Sequence, residues 1–206
     1  GTSDHFLMIS RGASLTALGS ADMPIVLTSN APVGSRAPRD WRGLVLLGGG
    51  PTQAVDQTVD LTTSTDDLRG QFGGGPSAAP AGSCGELSHV RVEFAGGRGN
   101  PTDSPSSALT FAACGRDTSI DHIQVHRGSD GLGLIGGQPF LRNVVVSSSA
   151  GDGIEWSGGF TGSLQYVIVQ HRAGGGTGLA IKGSNSEGDP TALPVSRPEI
   201  FNATLV

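Results

Sequence analysis

Residues 119–169 read SIDHIQVHRGSDGLGLIGGQPFLRNVVVSSSAGDGIEWSGGFTGSLQYVIV. Three copies of one template stand in this stretch: apolar, two residues, apolar, one residue, apolar. They are Ile120-x-x-Ile123-x-Val125, Leu141-x-x-Val144-x-Val146 and Leu164-x-x-Val167-x-Val169, beginning 21 and 23 residues apart. A second template lies between them: a small residue, then apolar, any, apolar. It reads Gly131-Leu132-Gly133-Leu134 and Gly153-Ile154-Glu155-Trp156. Two short strand types alternating at a period of about 22 residues describe a coil that climbs one strand spacing per turn.

The same two patterns extend outward. The first returns as Leu87-x-x-Val90-x-Val92 and, more weakly, Ile200-x-x-Ala203-x-Leu205. The second returns as Gly43-Leu44-Val45-Leu46, Ala108-Leu109-Thr110-Phe111 and Gly178-Leu179-Ala180-Ile181. Leu7-x-Ile9, Leu15-x-Ala17 and Ile25-x-Leu27 supply one further turn of three short strands. The expected fold is therefore an all-β, right-handed parallel β-helix of roughly six turns. Where the step lengthens, polar insertions account for it: residues 48–83, 97–107 and 183–198, expected as surface loops. No segment keeps a 3.6-residue apolar period over ten residues, which argues against alternating helices and strands. Asp130-Gly131 and Asp152-Gly153 recur at one phase of the repeat, which favours stacked turns over the hairpins of a β-sandwich.

Composition agrees. The 206 residues carry 34 Gly and 12 Pro, yet only 15% are charged. Disordered chains lack regular β-branched runs of this kind, so the Gly reads as many tight turns. The net charge of −5 gives no footprint for nucleic acid. No run approaches the ~20 apolar residues of a transmembrane helix. Both ends read as cut from something longer, so the expected organisation is a single β-helix domain over 1–206, a fragment of a longer chain.

Several segments resemble a family of uncharacterised right-handed β-helix proteins, often lipoproteins, of bacterial envelopes. The matching stretches are Ile9-Ser-Arg-Gly-Ala-Ser-Leu-Thr-Ala-Leu-Gly-Ser, Pro24-Ile-Val-Leu-Thr-Ser and Asp40-Trp-Arg-Gly-Leu-Val-Leu-Leu-Gly. Cys84-Gly-Glu-Leu-Ser-His-Val-Arg-Val-Glu-Phe-Ala-Gly and Cys114-Gly-Arg-Asp-Thr-Ser-Ile-Asp-His-Ile-Gln-Val complete the set. The resemblance spans nearly the whole chain and implies the fold and an extracellular or outer-surface location. It implies no particular reaction. Family members usually carry paired acids before the turn glycine. This chain keeps one at each site, Asp130 and Asp152.

Cys84 and Cys114 are the only cysteines, and each precedes a copy of the first template. Neighbouring turns bring them within reach of a disulfide, with two free buried thiols as the alternative. Outward positions of the first template stack into columns. His89, His122 and Tyr166 share one, Arg91 and Gln124 the next, and Glu93 and His126 the third. These seven residues are the candidate ligand face. The plainer reading of them is a polar ladder on a solvated sheet, and a His-type metal site has no local ligand motif behind it. Asp130 and Asp152 are weak calcium candidates, set against the commoner role of accepting turn amides. No other cofactor is expected.

No catalytic residue is assigned. The Asn-Thr-Asp, Gly-His-Gly and Arg-Ile-Lys signatures of polygalacturonases are missing, and outward carboxylates are few. The expectation is a non-enzymatic structural protein: a rod, adhesive stalk or filament subunit. Its expected partners are a second copy stacked head to tail, or a surface polysaccharide. The alternative is a carbohydrate-binding or carbohydrate-cleaving module.

Overall fold

A computed structural model describes residues 5–58, 70–97, 106–172, 178–186 and 188–206. Six strands form one parallel sheet, sheet A: β1 (Phe6–Ile9), β4 (Gly43–Leu47), β8 (Ser107–Ala112), β10 (Asp130–Ile135), β12 (Ile154–Ser157) and β14 (Ile181–Gly183). A second parallel sheet, sheet B, stacks β2 (Leu15–Leu18), β7 (Gly85–Glu93), β9 (Ser119–His126), β11 (Phe140–Ser147), β13 (Ser163–Gln170) and β15 (Glu199–Leu205). Strand β3 (Ile25–Leu27) also pairs with β7. The chain alternates between the sheets, so each turn adds one rung to both. Parallel strands joined in this way cross over right-handed. The result is a right-handed parallel β-helix.

The first template has a backbone cause. Strict alternation would put Leu87 and Val90 on opposite faces. His89, between them, has φ 51°. A single left-handed residue resets the phase and bends the strand, so both side chains turn inward. His122, Asn143, Tyr166 and Asn202 repeat the conformation at the same rung position, with φ between 52° and 59°. The conformation costs a non-glycine residue roughly 1–3 kcal/mol, and Asn and His tolerate it best. The bend is explicit in the first turn. There β2 pairs with residues 85–88 and β3 with residues 90–92 of the same long strand. Two further corners have left-handed columns of their own: Ala113, Gly136 and Gly158 after sheet A, and Phe94, Arg127 and Ser148 after sheet B.

Inward residues stack in register. Leu44, Leu109, Leu132 and Ile154 form one column. Val90, Ile123, Val144 and Val167 form another. All eight are essentially inaccessible to solvent. Cys84 and Cys114 are bonded to each other within this core, joining the second and third turns.

Two expectations change. The insertion 48–83 is not only surface loop. Within it, β5 (Val55–Thr58) and β6 (Gln71–Gly74) pair antiparallel. Phe72 there is buried against Val45, Leu47 and Ala112, side chains of sheet A's outer surface that lie apart from the main core. Those outward apolar residues need a cover, and the hairpin provides it. Residues 59–69 of this insertion, and 98–105 of the insertion 97–107, lie outside the described residues.

The second change concerns the last copy of the second template. Its register partner for Ile154 is Ile181, not Leu179, and Gly183 sits opposite Trp156. Leu179 is exposed. Its amide donates instead to Asp152 Oδ1 at 2.8 Å. A Cβ on Gly183 would come within 2.3 Å of the Trp156 ring, so the glycine makes room for the indole.

Candidate functional site

The sequence-derived candidate face divides into two groups. At the mid-strand bend, the His89 and His122 rings stack 4.4 Å apart and 6° from parallel. His89 Nδ1 lies 2.9 Å from Ser88 Oγ. Asp121 Oδ1 lies 3.0 Å from His122 Nδ1 and accepts a 2.7 Å hydrogen bond from the Asn143 amide of the next turn. Tyr166, one rung beyond Asn143, is 47% exposed. The left-handed corner projects this column outward.

The second group lies beyond the bend. Arg91 pairs with Glu93 at 2.7 Å, and Gln124 is the register partner of Arg91. Glu93 is not on an open face, contrary to its place in the sequence-derived column. It is only 8% exposed and accepts a 3.0 Å hydrogen bond from Thr28 Oγ1. The Trp41 indole N–H donates to its backbone carbonyl at 2.8 Å. Covering residues of the first turn bury it, and strand periodicity carries no trace of them. His126, opposite Glu93 in register, holds Ser147 Oγ at 2.9 Å and meets Phe94 edge-on. Burial pushes the His126 pKa below its usual value, against the opposing pull of the Glu93 carboxylate.

Asp130 and Asp152 form a ladder across turns. Asp130 Oδ1 accepts the Asp152 amide at 2.8 Å, just as Asp152 accepts that of Leu179. Lys182 Nζ lies 3.2 Å from Asp152 Oδ2 and 3.8 Å from Glu155 Oε2. The positive charge beside these acids thus comes from the chain's one lysine. Burial raises the Asp130 pKa, and the neighbouring carboxylates add to the rise. Among the described residues, no group of three or more His, Cys, Asp or Glu is placed to hold a metal ion.

Sequence reasoning missed one feature. A groove of about 300 Å³ lies on the outer surface of sheet A. Its floor includes Ile135, Glu155, Ser157 and Lys182, and its sides include Gln53, Gln57, Ser184 and Ser186. Gln53, from the insertion 48–83, donates to Asn185 Oδ1 of the insertion 183–198 at 2.8 Å. Asn185 in turn organises its own loop, donating to Pro190 and Ala192 carbonyls and accepting from the Ser196 amide. The outward residues Glu155 and Lys182 were the available signal. That two residues 132 apart, one in each insertion, clasp each other was not.

The fold and these surfaces define a parallel β-helix with polar outer ladders. The pectate-lyase-like β-helix domain model matches residues 1–206, and the chain belongs to that family. No curated protein and no solved structure matches the chain significantly. No helix among the described residues is long and apolar enough to cross a membrane.

Proposed function

We propose that this chain is a non-catalytic structural β-helix of the extracellular space or outer cell surface, serving as a rigid rod or stalk. One observation carries the reading: Asp121, Glu93, Asp130, Asp152 and Glu155, though not the exposed Glu86 and Glu199 of sheet B, are bonded to the scaffold. Asp121 ties two turns through Asn143. Glu93 is buried against Arg91 and Thr28. Asp130 and Asp152 each hold an amide of the following turn, and Glu155 accepts from Ser107 Oγ at 2.9 Å. General acid or base catalysis needs a carboxyl free to exchange a proton with substrate. The Cys84–Cys114 disulfide supports an oxidising compartment. Strands β14 and β15 are the edges of their sheets, and such edges pair with further strands, from a longer chain or from a second copy.

The test is incubation with polygalacturonate, pectin and alginate, followed by measurement of new reducing ends and unsaturated products. The expected result is no turnover. Turnover lost in Glu155→Gln or His122→Ala would overturn the structural reading. Electron microscopy of native material checks the rod: discrete monomers closed at both ends would remove head-to-tail stacking. A second reading, carbohydrate binding along the bend, has support from the stacked His89–His122 pair and exposed Tyr166.

A further inference from the structure

We propose that the groove on the outer surface of sheet A, between the insertions 48–83 and 183–198, is a binding site for a neutral saccharide. This goes beyond the structural role and does not depend on it.

The size of the groove, about 300 Å³, stands at the lower end of small-ligand sites. Its lining is a mixture that suits hydroxyl-rich ligands. The side chains of Gln57, Ser157 and Ser186 line it and make no hydrogen bond among the described residues. Polar groups left open in a concavity favour a ligand that presents many donors and acceptors. The Gln53 amide nitrogen is committed to Asn185, which leaves its Oε1 as an acceptor.

The walls are built. Gln53 reaches the Asn185 carbonyl at 3.1 Å as well as its side-chain oxygen at 2.8 Å. The Gly158 amide donates to the Asn185 carbonyl at 2.8 Å, fixing the loop to the floor. Recognition groups on a braced frame need less ordering when a ligand binds. The floor is braced as well. Gly133 lacks a side chain, and Ser107 of the third turn reaches past it to Glu155 of the fifth.

Charge selects the ligand class. Glu155 and Lys182 line the groove, and Asp152 and Asp130 stand behind them. Three carboxylates thus surround one ammonium, which already lies 3.2 Å from Asp152. A uronate would bring further negative charge to an anionic neighbourhood with its single cation engaged. A neutral sugar meets no such repulsion.

The test uses the folded chain with cellotetraose, maltotetraose, laminaritetraose and mannotetraose, and tetragalacturonate as the acidic comparison. Calorimetry and saturation-transfer NMR read binding. At least one neutral tetrasaccharide is expected to bind, with tetragalacturonate weaker. The Gln57→Ala/Ser157→Ala double variant, which breaks no hydrogen bond of the fold, is expected to bind roughly tenfold more weakly with an unchanged melting temperature. Phe201→Ala, exposed on sheet B and outside the candidate face, is expected to bind like the parent, and Tyr166→Ala separates the groove from the sheet B bend. Failure of all four neutral sugars to bind, tighter binding of tetragalacturonate, or loss of binding in Tyr166→Ala would each overturn the assignment. None of these results alters the expectation of no turnover.

Discussion

Val144 and Val145 are adjacent residues with opposite fates, and replacing each with alanine tests the register of the whole stack. Val144 is fully buried between Ile123 and Val167. Its outward neighbour Val145 lies between Gln124 and Ile168 and is partly exposed. Val144→Ala deletes two methyl-sized groups, about 1.6 kcal/mol of transfer free energy. The void adds about 1 kcal/mol, at ~24 cal/mol per Å³ over roughly 40 Å³. The expected loss is therefore about 2–3 kcal/mol for Val144→Ala and under about 1 kcal/mol for Val145→Ala. Urea unfolding followed by circular dichroism measures both, as a lower midpoint at constant slope. A fall in slope for Val144→Ala alone would mean that the turns unfold in sections, as weakly coupled repeats do. Val144→Asp buries an unpaired charge and is expected to abolish folding. Equal effects of the two alanine substitutions, or a larger effect at Val145, would refute the inward–outward assignment on which every column rests.

The disulfide closes a loop across 30 residues. Loop-closure entropy puts its contribution at about 3–4 kcal/mol, so Cys84→Ala/Cys114→Ala is expected to lower the unfolding midpoint accordingly; an unchanged midpoint would show that the bond constrains nothing. Asp130 carries a raised pKa through burial. The folded state therefore binds that proton more tightly than the unfolded chain. The resulting stabilisation is complete below the unfolded pKa and is lost as pH rises through the folded one. Asp130→Asn keeps an oxygen for the Asp152 amide and removes the buried charge. It is expected to melt above the parent at pH 7, with the gap closing as pH falls toward about 4; a lower melting temperature at pH 7 would count against the desolvation argument.

The periodic part of this protein was legible in its residues. The apolar-x-x-apolar spacing at Leu87–Val90, Ile120–Ile123, Leu141–Val144 and Leu164–Val167 encodes a bend, because only a phase reset places both residues of each pair inward. The 22-residue repeat encodes the stacking, and Cys84 and Cys114 fell on neighbouring turns by the same arithmetic. Those features repeat at short range, so local spacing carries them. Glu93 and the groove did not repeat. Glu93 is sealed by Thr28, 65 residues away, and the groove exists because Gln53 meets Asn185 across the outer surface of sheet A. The hairpin that buries Phe72 is likewise set by where an insertion lands. A one-dimensional period specifies what stacks on what inside the coil. What covers the coil depends on contacts between segments that share no period, and those form only when the stacked turns bring them together.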